Sequence, residues 1–513
     1  MIRPKTLAAA AALFTSLFSA PAYAGDFIDS RITFIFSDDN IFAGPEDFSP
    51  QPDFTQRPGV NQFYDNYNTR DSGQETKADL ALYRRMQGWH PRLETEAAFL
   101  VRFDLFADDV TGKGGQKFAD DGTYVQVNWL KGDISEPRKA GAPPRYYFLG
   151  FPFNADRFRL GYSYGITWGG REIFPKNTSP VPGVKFGYDG TAFYAFGGMK
   201  THRQLNDNTN DIESNYAFLG GAGMDISELV RIEAAGGYFQ KGALPPTGTG
   251  GADPLAGDRV NAAGGSAQVT FHKGLPIQTS VDLRLYRNDP ESPFQAFRKE
   301  EYAPGLSWLV STEVSYLTQN LRDPDTFGQT EIQPAMAADI NAKVKLGRAR
   351  AFFDFVYRDL SFMLFNVPAF TPYYGFPDSA EVRGQWFIDL GADYYLDALH
   401  MTPGVTFGYM RPATYTGDTG GAGVLGTNTV VVRRQGDFEI LPPNETAFDI
   451  LSFRVYDRVE LSDMMSMNAQ LTYTLDNNNT RLVRGPTGFP ERQFDKAAVT
   501  SQLAFAVIFQ SRF

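Results

Sequence analysis

Residues 498–513 read AVTSQLAFAVIFQSRF. Leu503, Phe505, Val507, Phe509 and Phe513 share one parity, whereas Gln502, Gln510 and Arg512 hold the other with Ala504, Ala506 and Ile508. Successive side chains of a strand point to opposite faces, so this period-two pattern makes one apolar and one polar face. Chain ends ordinarily fray and carry polar residues. This stretch is instead expected to be tied into a sheet with one greasy surface.

The same alternation recurs upstream. Leu93, Ala97, Phe99, Val101, Phe103 and Leu105 oppose Glu94, Glu96, Arg102 and Asp104. Val125, Val127 and Trp129 oppose Gln126 and Asn128. Phe158, Leu160, Tyr162 and Tyr164 oppose Arg157, Arg159 and Ser163 in a predicted strand over 156–164. Val281, Leu283 and Leu285 oppose Asp282 and Arg284, and the pattern returns over 338–346, 386–394, 451–458 and 467–475. A soluble sandwich also alternates. Here, however, the polar faces carry several full charges of both signs. Aromatic residues also gather at the ends of the apolar faces, where a membrane barrel places its interfacial girdles. Tyr83, Trp129, Tyr162, Tyr286, Tyr357, Tyr394 and Tyr409 are the girdle candidates.

Composition points the same way. Aromatics make up 14% of the chain, glycine occurs 50 times and cysteine not at all. Mean hydropathy is −0.31, too polar for a helical membrane protein. No uncharged apolar run reaches the ~18 residues of a spanning helix. Only helices and closed barrels satisfy every backbone group in lipid. The expected fold is therefore all-β: a transmembrane antiparallel up-and-down β-barrel of about 18 strands, within a range of about 16–20 by the even-number rule. Residues 225–228, 273–276, 346–349, 396–399 and 460–463 read as tight turns. The stretches 38–72, 107–121, 242–258, 288–303, 364–380, 411–428 and 477–496 read as long loops. Strict up-down alternation fails between 288 and 347 and around 165–190, so one of these regions hides a strand or folds inside the barrel.

Residues 1–24 have the three parts of a secretory signal peptide: Arg3 and Lys5, an uncharged apolar run from Leu7 to Phe18, and Ala22-Tyr23-Ala24 before Gly25. Cleavage there would leave 25–513 as one barrel domain. The net charge of −11 becomes more negative on removing that basic segment, which argues against nucleic acid as a partner. Without cysteine there are no disulfides and no thiolate metal site.

A signal peptide, alternating segments throughout and a final strand ending in Phe513 together resemble the Gram-negative outer-membrane barrels, porin-like in type. The stretches RPGVNQFYDNYNTRDSG (57–73) and DRFRLGYSYGITWGG (156–170) resemble an uncharacterised group of proteobacterial porin-like barrels. The resemblance implies export through the periplasm to the cell outer membrane. It implies that the barrel-assembly machinery reads the last strand, with Phe509 and Phe513 as the signal. It also implies closure against a first strand over 28–37 with Ile32, Phe34 and Phe36 outward. Porins are often homotrimers, but no residue here marks a subunit-contact face.

Gly161-Tyr162-Ser163-Tyr164-Gly165 matches the G-x-S-x-G nucleophile elbow, which requires a strand, a sharp turn and a helix. Here the motif continues an alternating strand, no helix follows, and the four histidines are His90, His202, His272 and His400. Structural strand is the expected role, and neither enzyme activity nor a cofactor or metal is expected. The oxygen-rich 206–211 and 38–40 clusters could offer ligands to Ca²⁺, but a solvated loop is the commoner use of such residues. The segment 165–183, with Arg171 and Glu172, could fold inward and narrow a channel, because irregular backbone is tolerated at membrane depth where it lines a water-filled cavity. Arg102, Asp104, Arg157, Arg159, Arg231, Glu233, Asp282, Arg284, Asp354, Arg358 and Arg454 are the expected lumen charges. Rings of such charges set selectivity in pores. The leading expectation is a channel for passive diffusion of small hydrophilic solutes or ions. The alternative is a plugged structural barrel whose long loops bind a partner.

Overall fold

A computed structural model describes residues 29–38, 41, 75–104, 118–120, 122–131, 144–153, 158–169, 181–206, 208–247, 253–275, 304–364, 373–418, 427–434, 437–484, 490–495 and 502–512, with 208–247 continuing from 206 after one omitted residue. Among these, 18 antiparallel strands form a closed up-and-down barrel. Each strand pairs with its sequence neighbour. The circle closes where Asp29–Asp38 pairs with Gln502–Arg512, setting Phe34 opposite Phe509 and Phe36 opposite Val507. Thr33 accepts a hydrogen bond from the Gln510 amide at 2.9 Å. A short extra strand, Phe118–Asp120, pairs with the outer end of Leu93–Asp104.

The burial of the two faces is the reverse of that in a soluble sheet. In Tyr124–Leu130 the exposed positions are Val125, Val127 and Trp129, whereas Gln126 and Asn128 are buried. In Leu306–Arg322, Val314 and Tyr316 are exposed while Ser311, Glu313, Ser315 and Gln319 are buried. An apolar belt faces out and polar side chains face in, which is the surface a hydrocarbon solvent selects.

Aromatic rings mark both rims. At one rim Trp129 stacks on His90 at 5.0 Å, and Tyr146, Tyr188 and Phe193 follow one another at 5.0 Å spacings. Lys131 holds its ammonium 4.9 Å above Tyr146. At the other rim Trp386 lies 5.4 Å from Tyr409, whose hydroxyl donates to Asp449 at 2.6 Å. Tyr83 and Tyr162 do not belong to a girdle. Both are buried inside the barrel.

Connections at the first rim include the two-residue turns 228–229, 347–348 and 463–464. The expected tight turn at 273–276 is instead the start of a connection that runs from Lys273 to Leu306; the predicted 281–285 strand within it lies outside the described residues. The long-loop rim carries more order than expected. Glu381–Arg383, Ala413–Asp418, Thr427–Arg434 and Asp437–Ile440 form a four-stranded sheet, and Thr480–Arg484 pairs with Pro490–Phe494. Valines 430 and 432 of this sheet pack on Leu360 and Met363 of the short helix Leu360–Leu364.

Candidate functional site: the lumen and its inward segment

Of the alternating stretch over 156–164, the described residues 158–164 are not a wall strand. Phe158–Gly169 leaves the wall after Arg145–Phe151 and folds inside the barrel. The reason is visible in its contacts. Leu160 and Trp168 exchange backbone hydrogen bonds at 2.8 and 3.0 Å, which closes a hairpin with a single 3-10 turn, Tyr164–Ile166, at its tip. Gly161 and Gly169 take φ of +101° and +81°, values that L side chains rarely adopt. Phe158, Leu160, Tyr162, Ile166 and Trp168 are all buried. Their apolar faces meet an apolar patch of inner wall rather than lipid. Phe158 lies 6.2 Å from Phe196 and Trp168 lies 5.3 Å from Phe239, ring centre to ring centre.

The wall is shaped to receive this segment. Glycine pairs stand at 197–198, 220–221, 236–237 and 264–265 on four adjacent strands, and the register sets Gly197 opposite Gly220, Gly220 opposite Gly236 and Gly236 opposite Gly265. One member of each pair faces in. A Cβ at Gly198 would sit 2.8 Å from Phe158, and one at Gly237 would sit 3.0 Å from Leu160. Sequence reading missed this cradle, although four Gly-Gly pairs on consecutive strands were a legible signal.

Polar contacts fix the segment at several points. The Glu313 carboxylate accepts the backbone N–H of Tyr162 at 3.1 and 3.0 Å and that of Ser163 at 2.5 Å. The Ser163 side chain faces Asp339. Trp168 donates its indole N–H to Ser266 at 2.9 Å, Lys200 donates to the Gly169 carbonyl, and Arg358 reaches the Gly165 carbonyl at 3.4 Å. Ser163 thus contributes its backbone to a structural contact. The G-x-S-x-G stretch is a constrained hairpin, not a strand followed by a helix.

The expected lumen charges fall in different places. Glu233, Asp354 and Arg454 are buried on inner faces; Glu233 accepts from Tyr194 at 2.7 Å and from Gln268 at 3.2 Å, and Asp354 accepts from Asn341. Arg358 reaches the inward segment and also donates to Gln385 at 3.1 Å. Arg231 is bound at the short-turn rim to Asp225 at 2.6 Å. Arg159 belongs to the inward segment, where it reaches the Thr167 carbonyl at 3.4 Å. Arg157, Arg171, Glu172, Asp282, Arg284 and Phe513, the side chains of Arg102 and Asp104, and residues 170–180 of the expected constriction lie outside the described residues.

Other inner charges form a collar of ion pairs at the short-turn rim: Arg85 with Glu94 at 2.9 Å, Arg145 with Glu96 at 3.2 Å and Asp189 at 3.1 Å, and Arg350 with Asp393. Three arginines face four carboxylates in these contacts, so most of the charge is cancelled within the collar. At the long-loop rim, the buried Arg433 binds Asp476 at 2.5 Å and Asn479 at 2.8 Å, joining two loops. In the 206–211 cluster, the Asn206 side-chain oxygen accepts from the N–H and amide of Asn208 at 2.9 and 3.1 Å.

No protein-family model matches the chain, and no curated protein matches it. Solved structures do align along nearly all of it. Wzi of Escherichia coli, described as an outer-membrane protein involved in group 1 capsule assembly and a carbohydrate-binding β-barrel, is 10% identical with a TM-score of 0.41, over 98% of this chain and 86% of its own. OccAB3 of Acinetobacter baumannii is 9% identical with a TM-score of 0.43, over 94% and 98%. OccK1 (OpdK) of Pseudomonas aeruginosa is 9% identical with a TM-score of 0.41, over 94% and 97%. Identities and scores this low carry no function from those proteins to this chain.

Proposed function

We propose that this chain is an outer-membrane channel for passive diffusion of small hydrophilic solutes or ions. The Phe158–Gly169 segment narrows it from one side, and hydroxyl and amide side chains line the other. One observation carries this reading: the interior is lopsided. The buried apolar cluster around the segment draws on strands from Glu75–Gln87 round to Ile450–Ser462. Among the described residues it takes none from Met465–Leu475, Gln502–Arg512 or Asp29–Asp38.

On Met465–Leu475 the apolar side chains Leu471 and Tyr473 are exposed, whereas the inner face of Gln502–Arg512 carries the small, buried Ala504 and Ala506, and Ile508 stands opposite Ile35 on the same parity. The inner positions of the three strands also include Thr472, Thr474, Gln502, Gln510 and Thr33, and Arg454 stands beside Thr472 in register. A barrel of about 16–18 strands is generally too wide for side chains alone to fill, and on this reading the passage runs beside these three strands. Hydroxyl and amide groups there replace part of a solute's hydration shell without trapping it. The apolar belt and aromatic rims suit a bilayer, and pairing of the first and last strands provides the seam that an assembly machinery would close.

Single-channel recording of the refolded protein in a planar bilayer tests the proposal. Stable stepwise conductance is expected. A folded, heat-modifiable barrel that stays silent would overturn it. That result would favour the plugged alternative, whose own support is the ordered four-stranded sheet offered at the long-loop rim.

A further inference from the structure

We infer that Glu313 is the latch that positions the inward segment, and that releasing it lets the segment leave its cradle and widens the passage. The inference rests on the channel reading for its effect on conductance, but not for the latch itself.

The cradle gives shape but little direction. Its contacts with Phe158, Leu160 and Trp168 are mainly apolar, with the Lys185 ammonium 5.4 Å from the Phe158 ring centre and a hydrogen bond from Trp168 to Ser266. Near the tip the geometry is different. Two consecutive backbone N–H groups, those of Tyr162 and Ser163, converge on one carboxylate. Successive N–H groups that turn inward together form an anion-binding concavity. Leaving either buried N–H without this acceptor would carry the full desolvation cost of an unpaired donor. The approach is possible only because residue 161 is glycine: a Cβ there would lie 3.1 Å from Glu313 Oε1, and φ is +101°. The other polar contacts at the tip come from single side chains, and the Ser163 side chain faces Asp339. Arg358 reaches the Gly165 carbonyl at 3.4 Å while it also serves Gln385. Glu313 stands in the middle of Leu306–Arg322, a wall strand paired along its length on both sides, so the latch is anchored on a rigid element.

Replacing Glu313 also changes the polarity of the lumen, which by itself alters ion flow. The test must therefore separate release from electrostatics. The chain has no cysteine, so Ile166→Cys places one thiol at a fully buried site on the segment. The measurements are its modification rate by a small polar thiol reagent and single-channel conductance, each in the Ile166→Cys background with Glu313 intact, Glu313→Gln or Glu313→Ala. Val314→Ala, whose side chain faces outward, is the control. Loss of the hydrogen bonds from two backbone N–H groups to a buried carboxyl is expected to speed modification by ~10-fold or more in Glu313→Ala. Glu313→Gln, which keeps the volume and one acceptor oxygen, should fall between. Conductance should rise or flicker in the same order and stay raised in 1 M salt, where the Debye length is only about 3 Å. Modification at the parent rate in both variants would overturn the latch. So would a conductance change that vanishes at high salt. If the protein with Glu313 intact is silent, the channel reading fails, while the modification rates still decide the latch.

Discussion

At the scale of single residues, fit inside this barrel depends on side chains that are absent. Gly198 shows why. A Cβ there would lie 2.2 Å from the Val184 carbonyl and 2.8 Å from Phe158, and a backbone oxygen within a paired strand cannot step aside. Gly198→Ala is expected to cost about 1–3 kcal/mol, the usual range for overpacking, read as a lower midpoint for loss of the heat-modifiable folded form. Gly197→Ala, on the outer face with its nearest atom 3.8 Å away, should be neutral; equal losses at both sites would mean the cradle is not the cause. A second residue-level expectation concerns Asp253 at the long-loop rim. Arg322 donates to its two oxygens at 3.0 and 2.8 Å and holds its carboxyl well below the usual carboxylate range, aided by the N–H groups of Thr247 and Leu255. Because the folded pKa is depressed, the pair's contribution is full above the ordinary carboxylate value of about 4. It drains as pH falls through the lower folded value. Hydrogen-exchange protection of the Leu255 amide should therefore hold from pH 7 to about 4 and fail only on stronger acidification. Asp253→Asn should lose that protection at every pH. Loss already between pH 7 and 5 would assign the protection to some other group.

At the scale of elements, the wall strands were legible because lipid outside and polar groups inside impose a period of two that turns and loops interrupt. The closing pair was legible for the same reason: Phe34, Phe36, Phe505 and Phe509 lie in one apolar row, and Phe36 and Phe505 pack at 5.4 Å. Phe158–Tyr164 reads as a wall strand because it carries the same period, whereas 165–169 belongs to the 165–183 stretch expected to fold inward. Alternation states that one face is apolar, not what covers it. Here the apolar face meets Phe196, Leu219 and Phe239 on the inner wall. The two facts that separate the cases are non-local: glycines such as Gly198 and Gly237 on other strands that meet Phe158 and Leu160, and a carboxylate 150 residues away in sequence from the Ser163 N–H that it accepts. The broken up-down count around 165–190 was the local trace of the same event. Thr427–Arg434 was obscured differently, because its Val430-Val431-Val432 run follows a glycine-rich stretch that reads as loop.

At the scale of the whole molecule, the net charge of −11 does not decide what a lumen prefers, because a passing ion feels only the charges along its path. Rim pairs such as Arg145 with Glu96 and Arg350 with Asp393 cancel, and the Glu313 carboxylate is turned toward backbone N–H groups of the inward segment. On Ile450–Ser462, at the edge of the apolar cluster, Arg454 stands between Thr406 and Thr472, its partners in register. Its guanidinium stays charged at any working pH, so removing it takes one positive charge from this wall whatever it contacts. Arg454→Ala is therefore expected to move the reversal potential in a salt gradient toward the cation side. The shift should be larger at 0.1 M, where the Debye length is about 10 Å, than at 1 M, where it is about 3 Å. Phe453→Ala, one residue away and facing outward, should leave the potential where it was. A reversal potential that ignores Arg454 at low salt would mean that ions do not pass along this wall, and the open side of the lumen would then have to be sought elsewhere around the barrel.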